Sequence, residues 1–197
     1  MHAKRADGAV FDFSIKGTIF RGLVLVLKQD GKLTAVESKL SGPTLELVRA
    51  LPTAGAWIDG VRVVELEEAM ALVSSDKELF DVGRRSVAVE LRAITRSVTE
   101  GVLRLFGASP ASLLSRISMF DPVTARGTKN VWTPTGDKRG EMRVIYPTSR
   151  LLPDAMGAIS AGMLVATLEV CRTKGSSVFN GFTNEARNEM RFTIEWE

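Results

Sequence analysis

The sequence predicts a single α+β domain over residues 1–197: an N-terminal helical layer, about 14–121, then an antiparallel sheet, about 128–197, covered by helices. Apolar residues recur at spacings of three and four through the first half, the period of a helix face. In the second half the period falls to two, that of a strand. Size agrees with one domain: the 197 residues are 45% hydrophobic and 25% charged. A chain of roughly 150 residues already buries about 68–70% of its unfolded surface, enough for a core without disulfide or metal staples.

The helices come first. Ile15, Ile19, Leu23, Val26 and Leu27 make one apolar stripe, and the helix they define ends near Gln29-Asp30-Gly31. Gly42-Pro43 opens a short helix carrying Leu45, Val48 and Leu51, because proline is tolerated in a first turn. Asp59 precedes a helix with Val63, Leu66, Met70 and Val73 inward; Glu65, Glu67 and Glu68 have the chemistry of an acid and base but, opposite that stripe, read as a solvated face. Ser75-Asp76-Lys77-Glu78 is a capping box, in which Ser75 accepts from the Glu78 backbone and the Glu78 carboxylate reaches back. From there Phe80, Val87, Leu91, Ile94, Val98, Val102 and Leu105 trace one stripe to Phe106, with Gly83 a place where it can break and Gly107 its end. Ser109-Pro110 starts a further helix with Leu113, Ile117 and Phe120 inward, and Asp121-Pro122 stops it.

The sheet follows as hairpin, helix, hairpin. Met142, Val144 and Tyr146 alternate with Glu141, Arg143 and Ile145, and Thr135-Gly136-Asp137-Lys138 is the turn that pairs this strand with 129–134. Pro147 closes the strand. The intervening helix has Pro153 at its start and Met156, Ile159, Met163, Thr167 and Val170 on one face. Gly157, Ala158, Ser160, Ala161, Gly162 and Ala166 keep it narrow enough to lie close against a sheet, and Arg172 and Lys174 stand near its end, where cations are favoured. The last hairpin runs from 176–182 through a polar turn to a strand in which Met190, Phe192, Ile194 and Trp196 face inward. Glu189, Arg191, Thr193 and Glu195 face out.

Composition excludes several functions. The one histidine, His2, stands in a terminal segment of the kind that frays, so histidine-based catalysis, the usual zinc sites and histidine-ligated haem lack support. The single Cys171 builds no disulfide framework, so a reducing, cytoplasmic setting is expected. The longest aliphatic run, Leu23-Val24-Leu25-Val26-Leu27, is far short of the roughly 20 apolar residues of a membrane span, and the segment from Met1 to Gly8 does not read as a signal peptide. A net charge of +3 is too weak to argue for nucleic acid. Arg126, Lys129, Lys138, Arg139 and Arg143 gather at the first hairpin, but Trp132 is odd-spaced from Lys129 and points to the other face, which argues against base stacking beside phosphate contacts. The hairpin reads instead as an edge protected by charge.

Gly17-Thr18-Ile19-Phe20-Arg21-Gly22, Asp81-Val82-Gly83-Arg84-Arg85, Val102-Leu103-Arg104-Leu105-Phe106 and Phe192-Thr193-Ile194-Glu195-Trp196, in that order of elements, carry a resemblance. The chain resembles an uncharacterised, roughly 200-residue family known mainly from myxobacteria, related to vinyl-4-reductase-type and haem nitric-oxide-binding-like sensory domains. The resemblance implies a small molecule bound between the helical layer and the sheet, a sensory role and a homodimer. Relatives of this kind that respond to aromatic compounds often hold zinc on two cysteines flanking the final turn. Those places fall near Phe182 and Met190 here, and the haem branch needs a helical histidine that this chain lacks. The resemblance therefore implies neither metal nor cofactor for this chain.

Each remaining candidate has a structural reading beside the functional one. Cys171 reads as a small buried hydrophobe rather than a nucleophile. Ser74-Ser75-Asp76-Lys77 has the Ser-x-x-Lys spacing of penicillin-binding enzymes without the companion motifs. Phe106, Phe120, Trp132, Tyr146, Met163 and Phe179 stand at inward positions and are the candidate ligand-pocket residues, although a packed core needs the same side chains. Tyr146, the only tyrosine, is the best placed to orient a ligand, because a buried hydroxyl wants a partner. The expected function is a non-enzymatic small-molecule-binding or sensory domain for a small apolar or aromatic ligand; the alternative is a protein interaction or scaffolding module with a filled pocket. The uncharged strand 176–182 offers an edge through which a homodimer can form.

Overall fold

Short strand β1 (Ser14–Lys16) leads directly into α1 (Gly17–Gln29), followed by α2 (Leu33–Glu37) and α3 (Gly42–Arg49). After these come β2 (Trp57–Asp59), α4 (Gly60–Ala71) and α5 (Asp76–Ala93). The computed structural model describes residues 11–93, 109–119 and 121–197. Helix α6 (Pro110–Ser115), a 3-10 turn (Ile117–Met119), α7 (Asp121–Thr124) and β3 (Ala125–Arg126) lead to the sheet strands β4 (Lys129–Gly136) and β5 (Arg139–Ile145). Helix α8 (Asp154–Val170) and the hairpin β6 (Gly175–Phe182) and β7 (Glu189–Trp196) complete the chain. The architecture is α+β, with an antiparallel four-stranded sheet in the order β4-β5-β7-β6 and a second small sheet, β2-β1-β3. One cluster of buried side chains joins both layers, from Phe20, Leu23 and Leu66 on the helices to Met142, Ile159 and Phe192 over the sheet.

Period-two burial places the sheet core where the sequence expects it. Met190, Phe192 and Ile194 are fully buried, Arg191 and Glu195 are exposed, and Trp196 is half-buried at the end of the strand, its ring 6.1 Å from that of Trp132. Glu189 and Thr193 are half-buried as well. Because Phe192 is fully buried, Phe192→Ala should cost about 3–5 kcal/mol in urea unfolding, with Thr193→Ala costing well under that. Equal losses would mean that the register of β7 is wrong. The hairpin turn is tighter than expected: a register shift between Pro134 and Gly136 carries β4 through the glycine and leaves Asp137-Lys138 as the connection.

Several elements depart from the sequence expectation. Ile15 belongs to β1 rather than to the first helix, which starts at Gly17, because Ile15 pairs with Ile58 and Ala125 and is buried in the small sheet. Leu51 and Val73 lie past the ends of α3 and α4. The capping box is half made: the Glu78 carboxylate accepts from both the Ser75 N–H (2.8 Å) and the Ser75 hydroxyl (3.0 Å), so the serine donates instead of accepting. Asp121-Pro122 opens the single turn of α7 instead of stopping a helix, since α6 has already ended at Ser115; Ser109 caps α6 by accepting from the Ser112 N–H at 3.2 Å.

Helix α5 runs unbroken through Gly83, and its buried stripe is Leu79, Val82, Gly83 and Ser86 rather than Phe80 and Val87, which are half-buried. The reason is packing between two helices. A Cβ at Gly83 would overlap the Ile159 carbonyl of α8, one at Gly162 would overlap the Phe80 carbonyl of α5, and one at Gly22 of α1 would lie 2.7 Å from the Ser86 carbonyl oxygen. Small residues thus turn α5 so that its narrow face, not its bulkiest one, meets its neighbours. Adjacent arginines then grip both sides: Arg84 pairs with Glu169 of α8 and Arg85 with Asp30 beyond α1. Helix α8 is covered on two sides, by α5 and by the sheet, so Ala161, Leu164, Val165, Ala166 and Leu168 are buried while Met163, Thr167 and Val170 of the expected face are only half-buried. The side chain of Leu91, the stripe from Ile94 to Phe106, its end at Gly107, and Phe120 lie outside the described residues.

Candidate functional site

The first two turns of α8, the end of β5 and the middle of α4 converge on one polar cluster within apolar surroundings. Tyr146 follows β5, its backbone N–H bound by the Asn188 carbonyl at 2.8 Å. The Phe13 ring meets it edge-on, centroids 5.0 Å apart. The residue as a whole is half-buried, but its hydroxyl end is desolvated and hydrogen-bonded with Ser160 of α8. Burial raises the hydroxyl pKa well above the usual tyrosine range, and the nearby carboxyl of Glu67 adds to the rise.

Glu67 is the residue that sequence reasoning misplaced. The sequence puts it on a solvated face with Glu65 and Glu68, yet it is 5% exposed. Helix α4 packs against α8 on one side and against α2, α3 and β2 on others, so it has no continuous solvent face and Glu67 is turned inward. Its Oε2 is buried without a hydrogen-bond partner. Burial, with a smaller contribution from the charge of Glu68, pushes its pKa up to about 8, so the carboxyl is mostly protonated at neutral pH. Its two neighbours behave differently: Glu65 accepts from Arg62 at 3.0 Å and from Thr44, and Glu68 takes the Arg150 guanidinium at 2.6 Å. Period alone could not have separated the three. The only hint in the sequence is that Val61, Val63, Val64, Leu66, Ala69 and Met70 surround Glu67 with more apolar residues than one stripe needs.

Beside this cluster Arg150 holds Glu68 through Nη2, while its Nη1 is buried with no partner; its guanidinium carbon is 5.8 Å from the Phe11 ring centroid. An open depression of about 570 Å³ lies here, lined by Glu68, Arg150, Leu151, Leu152, Pro153, Asp154 and Arg187. Arg187 sits in the left-handed region at φ 48° and is fixed by the Leu152 carbonyl at 3.1 Å, Asp154 at 2.6 Å and the Phe182 ring at 4.3 Å.

The other candidate pocket residues occupy separate places. Trp132 packs on Trp196 and over Gly140, and Phe179 packs on Phe182, Phe192 and Gly157. Met163 is half-buried on α8, and Phe106 and Phe120 lie outside the described residues. Phe182 and Met190 are direct cross-strand partners, and Met190 is fully buried. Cys171 is buried, with its thiol pKa raised by burial, and Ser74 accepts a hydrogen bond from Lys32 at 3.2 Å. Trp132 shares the core face with Met142 and Phe192, whereas Arg143 is opposite Val131 and Arg191 on the outer face. Of the hairpin cations, Arg143 pairs with Glu189, Arg139 with Glu195, and Arg126 lies over the Trp57 ring.

No protein-family model matches the chain, and no curated protein matches it. Solved structures do. A mutant H-NOX (haem nitric oxide/oxygen-binding) protein from K. algicida superposes with a TM-score of 0.66 at 15% identity, covering 93% of this chain and 97% of that one. The unmutated K. algicida protein gives 0.64 at 14% with the same coverage. The fold is H-NOX-like. An oxygen-binding H-NOX domain related to soluble guanylate cyclases also matches, with a TM-score of 0.59 at 13% identity over 93% of this chain and 95% of that one. The sequence resemblance to haem nitric-oxide-binding-like domains therefore holds at the level of fold. Within the H-NOX-like frame the polar cluster of Glu67, Tyr146 and Ser160 lies between the helical layer and the sheet-covering helix. No helix among the described residues is long and apolar enough to cross a membrane.

Proposed function

We propose that this chain is a non-enzymatic, cytoplasmic sensory domain that binds a small apolar or aromatic molecule other than haem, oriented by Tyr146 and Glu67, and that it works as a homodimer. The observation that carries the proposal is the buried carboxyl of Glu67, left with an unpartnered oxygen beside the Tyr146 hydroxyl in an otherwise apolar layer. Such a group destabilises a fold by about 1–3 kcal/mol, and uncompensated buried polar groups concentrate at functional sites. A protonated Glu67 can donate a hydrogen bond and Tyr146 can accept or donate one, so the pair suits a mostly apolar ligand with one polar atom. The H-NOX-like fold supports a sensory role, as does the resemblance to the myxobacterial and vinyl-4-reductase-type domains. Cys171 stands apart from the cluster, roughly 16 Å along α8 from Ser160, and its raised thiol pKa keeps it neutral.

The donor set does not fit haem. The one histidine is His2, the Cys171 thiol is protonated and buried, and burial keeps the Tyr146 phenol protonated, so none is a ready axial ligand. The paired Phe182 and Met190 offer no thiolate for zinc.

One observation favours the alternative, a protein interaction module with a filled pocket: the Phe179 ring lies where a Cβ on Gly157 would stand, so α8 sits flush on β6. A thermal-shift screen of small aromatic and lipid-like compounds separates the two. A ligand bound only by the folded state at about 100 times its Kd adds roughly 2.7 kcal/mol, and the shift should shrink in Tyr146→Phe. If no compound raises the melting temperature while a protein partner does, the interaction module replaces the sensor.

A further inference from the structure

Three elements carry the buried polar cluster: α4 brings Glu67, α8 brings Ser160, and the end of β5 leads into Tyr146. The irregular connection 147–153 touches all three. It leaves the sheet directly after Tyr146 and reaches α8 at Pro153. Between these ends Arg150 crosses to α4, where its Nη2 meets the Glu68 carboxylate at 2.6 Å. Glu68 is the chain neighbour of Glu67, so this tie is made beside the cluster itself. Leu152 is buried, whereas Leu151 before it is exposed, and the open depression is bounded by residues 150–154 together with Glu68 and Arg187.

The connection is built as a strap with firm ends and a weakly tied crest. At one end the Asp12 N–H donates to the Pro147 carbonyl at 3.0 Å, and Thr148 bridges Phe11. At the other, the Leu152 N–H donates to the Arg187 carbonyl at 3.3 Å, the Arg187 Nε–H returns to the Leu152 carbonyl at 3.1 Å, and Arg187 pairs with Asp154. Proline at 147 and at 153 fixes φ on both sides. The Thr148 hydroxyl oxygen accepts from the Arg150 N–H at 3.0 Å, a local turn that presents Arg150 toward α4. The Arg150–Glu68 pair keeps both side chains partly in water, and such pairs are worth little and are screened by salt, so it makes and breaks readily. We propose that the strap is the gate of the ligand site: its crest, 149–151, lifts between the anchored ends, parts from α4 when Arg150 leaves Glu68, and opens the way to Glu67 and Tyr146. Such a gate gives a cluster whose Glu67 is 5% exposed a route to solvent. The proposal rests on the reading of that cluster as the ligand site.

Tyr146 is the only tyrosine, so nitration of the full chain by tetranitromethane at about pH 8, read on the Tyr146 peptide by mass spectrometry, reports the opening. The reagent attacks the phenolate, and burial holds this phenol protonated, so the reaction runs only as often as the site opens. Glu68→Gln should be nitrated about two- to fivefold faster than the wild type, the range that loss of a partly exposed pair supports. Salt at about 1 M should speed the wild type and leave the variant unmoved. Arg150→Met should match Glu68→Gln, and it decides where Glu68→Gln fails to fold by circular dichroism. Glu37→Gln breaks the pair with Arg49 on the helical layer and should leave the rate unchanged; equal acceleration there would mean that general loosening exposes Tyr146, which overturns the gate. A slow wild type with folded strap variants no faster overturns the gate alone and leaves the ligand site standing. A wild type nitrated as fast as a free tyrosine peptide overturns both, because the cluster is then open already.

Discussion

Glu67→Gln should make the protein more stable at alkaline pH and flatten its stability profile between pH 5 and 9. In the unfolded chain Glu67 ionises near 4.5, whereas in the folded protein it keeps its proton up to about 8. Between those values the native state holds more protons than the unfolded one, so stability falls as pH rises and levels off once the folded carboxyl has also ionised. The shift corresponds to at most about 5 kcal/mol, and solvent entry around an ionised carboxylate brings the measured value below that. Glutamine keeps the shape without the titration. Urea unfolding of both proteins across the range should show a decline of a few kcal/mol in the wild type that is absent in the variant. Parallel profiles would mean that Glu67 is solvated.

The largest packing effect should come from the contact between α5 and α8. Gly83→Ala and Gly162→Ala each drive a methyl group into a helix carbonyl of the facing element, where no side chain can swing aside. Each should cost about 3 kcal/mol or more, at the upper end of overpacking effects, and the pair should not be additive because the two sites share one interface. Gly55 has nothing within 4 Å of a built Cβ and an ordinary φ, so Gly55→Ala serves as the control and should stay within about 0.5 kcal/mol of wild type. Helices that separated to accept either alanine with no loss in urea unfolding would contradict the close approach.

The same contact explains what the sequence could and could not reveal. The sheet was legible because one of its faces meets the core, so alternation in Met190, Phe192 and Ile194 maps directly onto burial. The strand expected at an edge, 176–182, is the edge strand β6. Helices wedged between two partners break that mapping. In α5 the buried stripe passes through Gly83 and Ser86, residues that no hydrophobicity pattern selects, and in α8 two buried faces leave no amphipathic signal. The small sheet escaped notice because its strands are two or three residues long and paired across distant parts of the chain, Ser14 with both Asp59 and Arg126. At the site, Tyr146 could be singled out as the only tyrosine, but Glu67 was hidden among three glutamates whose separate fates depend on tertiary neighbours: Arg62, Arg150 and, for Glu67, none at Oε2.

The H-NOX-like fold is proposed to bind its ligand without haem. This is tested most directly by the absorption spectrum and metal content of protein purified from cells supplied with haem precursors and then dialysed. The expected result is no Soret band and no stoichiometric iron or zinc, because His2 is the only histidine and the paired Phe182 and Met190 offer no thiolate. One equivalent of haem that survives dialysis would overturn haem-free binding.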